Sequence, residues 1–184
     1  MAVKTFAVGE VLTASDTNTY LNNGGLVYVS SATIGSGVSS VTVSNAFSTT
    51  YDNYRILITD FSMSSASNVN FQLRVGGTTA TTAYYWAGVY MSYSSTTVNG
   101  EYGANTTAWV LGYSDGPDNS LIFEVAMPYL ATQTHYTISH GNPSFWGTKA
   151  GYHATTTSYT DFVVTPSAGT MTGGTIAVYG YRKA

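Results

Sequence analysis

Hydrophobic and polar residues alternate with a period of two along most of this chain, which is the pattern of half-buried β-strands. Between Leu121 and Met127, for example, every second residue is a large apolar one, so one face of that strand can be buried. The pattern predicts ten strands: Leu26–Ser31, Ser39–Val43, Tyr54–Thr59, Val69–Val75, Tyr84–Tyr93, Thr107–Gly112, Leu121–Met127, Thr134–Ser139, Asp161–Thr165 and Gly174–Tyr181.

The segments between these strands carry residues that tolerate tight or left-handed turns. Gly76-Gly77, Asn99-Gly100 and Gly173-Gly174 are the clearest examples. Many short strands at this spacing are typical of a sandwich, a jelly roll or a partly closed barrel. Because several connections are too long for simple hairpins, we predict an all-β protein with a single jelly-roll-like β-sandwich over residues 26–184.

Residues 1–25 are predicted to form a short N-terminal arm with one short helix. Thr13 and Asp16 have the spacing of a capping box, and Gly24-Gly25 would end the helix after Leu21 or Asn22. A helix this short is not stable alone in water. The arm therefore needs a surface to pack on. That surface is either its own sheet or a neighbouring subunit. The candidate docking residues are Phe6, Leu12, Thr13, Asp16, Tyr20 and Leu21.

Composition narrows the possible partners. Only 8% of the 184 residues are charged, against about 25% in an average soluble domain. The net charge is −3 and only six residues are Lys or Arg, which argues against binding to nucleic acid. No apolar run approaches the roughly 20 residues that span a bilayer, and the N-terminus lacks the features of a secretory signal. A surface of hydroxyls, amides and phenols suits strands that pack against neighbouring subunits.

The sequence offers no arrangement of residues that predicts catalysis, a metal site or a cofactor. His135 and His140 are five residues apart along an extended segment, which places them on opposite faces, so they cannot ligate one metal ion together. His153 could join one of them, but hydrogen bonding at the surface or at an interface is the favoured interpretation of these histidines. Asp115 and Asp118 are the nearest carboxylate pair, but their Gly-Pro context is that of a turn. We therefore expect a protein that is not an enzyme and binds no metal or cofactor.

Aromatic residues are the more informative feature. Trp86 and Trp109 lie within predicted strands and are expected to pack in the core. Phe145 and Trp146 follow Pro143 in a predicted loop, so we expect them to form an exposed aromatic contact. Such rings can stack on a carbohydrate or bury area in a protein interface.

Three segments resemble proteins of tailed bacteriophages. FAVGEVLTASDTNTYLNNGGLVYV, residues 6–29, is similar to the N-terminal stretch of many phage tail and fibre-like proteins. FSTTYDNYRILI, residues 47–58, and GTMTGGTIAVYGYRK, residues 169–183, resemble blocks of small phage virion proteins. Together they cover about a quarter of the chain. The chain has no heptads and no collagen-like or β-helical repeat, so it lacks the long shaft of a full tail fibre.

The resemblance implies a structural protein on the exterior of the virion, assembled in the host cytoplasm as a homotrimer with other virion proteins. Two roles follow. One is a tail fibre-like adhesion module that contacts the host surface, including its glycans. The other is a decoration, or cement, protein that stabilises the phage head. The resemblance carries over no catalytic residue and implies no insertion into a membrane.

Overall fold

The computed structural model describes residues 7–11, 13, 25–114, 116–117 and 119–183. This part of the chain contains fourteen β-strands. They are β1 (Leu26–Thr33), β2 (Val41–Val43), β3 (Asn53–Met63), β4 (Ser67–Val75), β5 (Thr78–Thr79), β6 (Tyr84–Ser92), β7 (Val98–Thr106), β8 (Trp109–Ser114), β9 (Asn119–Ala126), β10 (Thr134–Gly141), β11 (Phe145–His153), β12 (Asp161–Pro166), β13 (Met171–Thr172) and β14 (Thr175–Tyr181). No helix that could cross a bilayer occurs among these residues.

The strands form two antiparallel sheets of unequal size. The large sheet has the order β1-β14-β3-β9-β10-β11-β6-β7, with β13 paired to β3. The small sheet has the order β2-β12-β4-β5, with β8 paired to β4. The prediction of an all-β protein is confirmed, and the jelly-roll topology itself stays a prediction.

The core lies between the small sheet and one face of the large sheet. Its large members are aromatic. Phe71 of β4 stacks on Trp109 of β8 at a centroid distance of 5.8 Å and meets Phe123 of β9 edge to face at 5.4 Å. The contact between Phe71 and Phe123 joins the two sheets directly. Aromatic side chains bury about 150–250 Å² each, so a few of them supply much of the packing. We call the large-sheet face that packs on this core the inner face, and the opposite one the outer face.

All ten predicted strands are present, within a few residues of their predicted ends. Two long strands were missed, β7 and β11, and the second contradicts a prediction. Phe145 and Trp146 do not lie in a loop: they begin β11, where Phe145 pairs with Ser92 and Trp146 with Met91. The turn is confined to residues 142–144, because the Asn142 Oδ1 atom accepts hydrogen bonds from the Ser144 and Phe145 amides at 2.8 Å.

Most of the predicted N-terminal arm lies outside the described residues. Phe6, Leu12, Asp16, Tyr20 and Leu21, together with the predicted helix between Thr13 and Asn22, lie outside the described residues. Thr13 is described and is exposed. The division of the chain into an arm, 1–25, and a sandwich, 26–184, therefore stays a prediction.

Candidate binding surface on the large sheet

The outer face of the large sheet has no second layer packed on it by the described part of the chain. One row of cross-strand partners shows its chemistry: Arg55 pairs with Glu124, and the row continues through Thr137, Ala150, Ala87 and Tyr102. The row begins with a charged pair, passes through short side chains and ends on an aromatic ring. Short residues between longer ones make a trough that runs across the strands.

Three adjoining cavities mark this trough. The first, of about 330 Å³, lies between Arg55, Glu124 and the hydroxyl residues of β10 and β11. The second, of about 370 Å³, lies above Ala87 and Ala150 between tyrosines. The third, of about 360 Å³, shares Thr148 with the first and Ala87 and Ala150 with the second. Strands lie about 4.8 Å apart, so the trough from β3 to β7 is roughly 24 Å long.

The polar end of the trough is organised around Glu124. The Glu124 Oε1 atom accepts hydrogen bonds from Arg55 Nε at 2.6 Å and from the Tyr181 hydroxyl at 2.8 Å. The hydrogen bond to Glu124 raises the pKa of Arg55, and burial raises the pKa of Tyr181. The pair is still partly open to solvent, with side-chain exposures of 43% for Arg55 and 33% for Glu124. It offers hydrogen-bond donors and acceptors held in fixed positions.

The other end of the trough is aromatic and uncharged. Tyr85 and Tyr152 are direct cross-strand partners, and their rings stack at a centroid distance of 5.1 Å and an angle of 8°. Tyr102, on the edge strand β7, is 80% exposed. These three rings and the floor of Ala87 and Ala150 bound the second cavity. They present flat apolar surface to solvent.

The structure separates the two aromatic residues that the sequence placed in one contact. Trp146 is on the outer face, 45% exposed, beside Met91 on the neighbouring strand. Phe145 points to the inner side, where it meets Tyr90 edge to face at 5.8 Å and Tyr113 at 6.3 Å. Consecutive strand residues alternate between faces, so the two rings cannot share one ligand. Only Trp146 stands on the same face as the trough.

The histidines follow the predicted alternation. His135 is exposed on the outer face, while His140 and His153 are buried on the inner face. Burial and the nearby Lys149 ammonium together lower the pKa of His140 to about 4. Burial also lowers the pKa of His153. Among the described residues no three His, Asp or Glu side chains come close enough to hold a metal ion. Asp115 and Asp118 lie outside the described residues.

Sequence reasoning missed most of the trough. Arg55 and Glu124 were each visible as one charged residue in a strand, but their pairing depends on β3 lying beside β9, 69 positions away. Tyr102 and Tyr152 lie on the two strands that the sequence did not predict. The available signal was the alternation of Trp146, Thr148, Ala150 and Tyr152, which the intervening glycines Gly147 and Gly151 conceal.

Comparisons with known proteins identify no family for this chain. No protein-family model matches the chain, and neither does any curated protein. Among solved structures, the chain is similar to one from the tripod of the baseplate of bacteriophage Tuc2009, with 10% identity and a TM-score of 0.26. That alignment covers 100% of this chain and 79% of the other. A TM-score this low shows no shared fold.

Proposed function

We propose that this protein is a non-enzymatic structural component on the exterior of a tailed-phage particle. In this proposal it is a tail fibre-like adhesion module, displayed as a homotrimer, and its outer-face trough binds a glycan of the host surface. The phage context comes from the three sequence segments described above. The observation that carries the binding role is the trough itself.

The chemistry of the trough suits a chain of linked sugars. A pyranose ring has C–H faces that stack on aromatic rings and hydroxyls that need hydrogen-bonding partners. Tyr85, Tyr102 and Tyr152 supply the rings, while Arg55 and Glu124 supply fixed donors and acceptors at the other end. The short floor lets a ligand approach the backbone, and the trough spans several sugar units. Such sites combine an apolar lining with a few well-placed polar groups.

Replacing Tyr152 with alanine tests the binding role. The substitution removes one half of the Tyr85–Tyr152 stack, and we expect binding to purified host envelope glycan to weaken by about tenfold, which corresponds to about 1.4 kcal/mol. Glycan-array or pull-down measurements on the folded protein provide the readout. Tyr113→Ala is the matched control, because Tyr113 is also exposed but belongs to β8 of the small sheet. If both variants bound the glycan as strongly as the wild type, the trough would have only a structural role.

Capsid decoration is the second candidate, and the uncharged aromatic end of the outer face favours it. Aromatic residues are enriched, and charged residues depleted, in the buried centres of protein interfaces. In this role the outer face would lie against a capsomer.

Copy number in the intact particle separates the two roles. An adhesion module of the tail should be present in a dozen to a few dozen copies, whereas a decoration protein should be present in hundreds over the shell. Quantitative mass spectrometry of purified virions measures this number, and cryo-electron microscopy locates the copies.

Light scattering of the isolated protein should show a trimer, and a monomer would contradict the symmetric assembly.

A further inference from the structure

A second cleft lies on the inner side, where the small sheet ends and the large sheet continues. It has a volume of about 280 Å³ and is lined by Tyr90, Glu101, Tyr113 and Phe145. Tyr90, Glu101 and Phe145 come from β6, β7 and β11 of the large sheet, and Tyr113 comes from β8 of the small sheet. The cleft is therefore built from both sheets and is separate from the outer-face trough.

The three rings are arranged as adjoining walls. Tyr90 and Tyr113 each stand almost perpendicular to Phe145, at interplanar angles of 86° and 87°. Their centroids lie 5.8 and 6.3 Å from that of Phe145. The three rings line one cleft, and an aromatic ring attracts a cation that lies over its face within about 6 Å of its centroid.

Local hydrogen bonds hold these walls in place without a ligand. The Asn142 side-chain amide donates to the Tyr113 carbonyl at 2.8 Å, which ties the β10–β11 turn to β8. The same Asn142 side chain accepts a hydrogen bond from the Phe145 amide. One residue thus fixes the relative positions of the Phe145 and Tyr113 strands. A preformed site loses less conformational entropy on binding.

The negative charge at the cleft is more exposed than the positive charge that pairs with it. Glu101 lines the cleft, and its side chain is 28% exposed. Its partner Lys149 lies beneath, with a side-chain exposure of 2%, at 2.9 Å from Glu101 and 5.3 Å from the centroid of the Trp86 ring. Burial lowers the pKa of Lys149, and the hydrogen bond to Glu101 opposes that shift. A ligand in the cleft therefore meets three aromatic rings and a carboxylate, with the ammonium group behind them.

We propose that this cleft binds a quaternary ammonium group of the choline type. A quaternary ammonium ion is attracted to the negative faces of aromatic rings and needs no hydrogen-bond acceptor, so three rings and one carboxylate match it. The site goes beyond the glycan-binding role and does not depend on it, because it uses the other side of the large sheet.

Choline chloride is the probe that tests this site. Titration of the full-length protein, followed by the choline methyl resonance in NMR, should show saturable binding with a Kd on the order of 1 mM or below. The neutral isostere 3,3-dimethyl-1-butanol has the same shape without the charge and should bind at least about tenfold more weakly. Equal binding of the two compounds, or no saturable binding of choline, would overturn the proposal.

Two variants locate the site. Tyr113→Ala should weaken choline binding by about tenfold, whereas Tyr113→Phe should retain it, because the ring and not the hydroxyl forms the wall. Tyr102→Ala is the matched control: it removes an exposed tyrosine next to Glu101 in sequence, but on the outer face, and should leave choline binding unchanged.

The same variants keep this site distinguishable from the trough. Loss of glycan retention in Tyr152→Ala with unchanged choline binding would support two separate sites. Loss of choline binding in Tyr102→Ala but not in Tyr113→Ala would place the ligand in the trough and contradict the cleft.

Discussion

Replacing Trp109 with alanine is expected to lower the free energy of unfolding by about 3–5 kcal/mol, as large-to-small substitutions of buried aromatic residues do. The Trp109 side chain is 0% exposed. From the small sheet it stacks on Tyr136 of the large sheet at 4.6 Å and meets Tyr84 edge to face at 5.3 Å. Loss of this side chain therefore leaves a cavity between the sheets and removes contacts that Trp109 makes with residues of both sheets.

Urea unfolding measures this effect as a shift of the transition midpoint. The slope of the transition should stay unchanged if the native fold is retained. Trp146→Ala is the matched control, because it removes the same side chain from a position that is 45% exposed on the outer face. We expect it to change stability by less than about 1 kcal/mol. If Trp109→Ala destabilised the protein no more than Trp146→Ala, the described packing between the sheets would be wrong.

Acid is expected to destabilise the protein between about pH 6.5 and pH 4 through His140. This residue is 8% exposed, and burial lowers its pKa in the folded protein to about 4, from an ordinary value of 6.5. Across that window the unfolded chain binds a proton that the folded chain does not, so stability falls as the pH falls. A shift of this size corresponds to roughly 3 kcal/mol, all of it lost by about pH 4.

The surroundings of His140 explain why its neutral form is favoured. Its ring packs on Gly112, where an added Cβ would lie 2.7 Å from the ring, so little space remains for water. The buried Lys149 ammonium opposes a second positive charge there, and Glu101 offsets only part of that effect. His153 contributes in the same direction, because burial lowers its pKa also.

Urea unfolding at pH 7.5, 6, 5 and 4.5 measures the pH dependence. His140→Gln should reduce the slope of stability against pH in this window and leave the residual slope due to His153. His135→Gln is the control, since His135 is exposed on the outer face, and it should retain the wild-type slope. A wild-type slope in His140→Gln would contradict the assignment.

The clearest sequence prediction is a strand in which every position carries a side chain. Leu121–Met127 was predicted and β9 spans Asn119–Ala126, because large apolar residues mark each inward position without interruption. The missed strands contain glycine at inward positions, where alternation is invisible. In β7, Gly103 faces Trp86, and a Cβ there would collide with the indole ring. In β11, Gly151 gives room in the same way beside Tyr136 and Trp86. Glycine is needed at both positions because large rings from neighbouring strands occupy the space in which a side chain would lie.

The loop prediction for Phe145 and Trp146 failed for a related reason. Pro143 and Gly147 flank the pair and suggested one irregular segment. The turn needs only three residues because Asn142 closes it, so pairing with β6 resumes at Phe145. Pairing depends on the partner strand, which lies more than fifty positions earlier in the chain and which local sequence does not reveal.

The sequence by itself determined that the protein is all-β, that His135 and His140 face opposite ways, and that Trp109 belongs to the core. Each of these follows from a side-chain period of two, which is a local property of an extended chain. Only the tertiary structure decided which face is covered and which residues meet across strands. It brings Arg55 to Glu124, buries Lys149 against Glu101, and encloses the cleft between Tyr90, Tyr113 and Phe145. Alternation shows that a strand has two faces, whereas what lies against each face depends on sheet order and on the packing of distant segments.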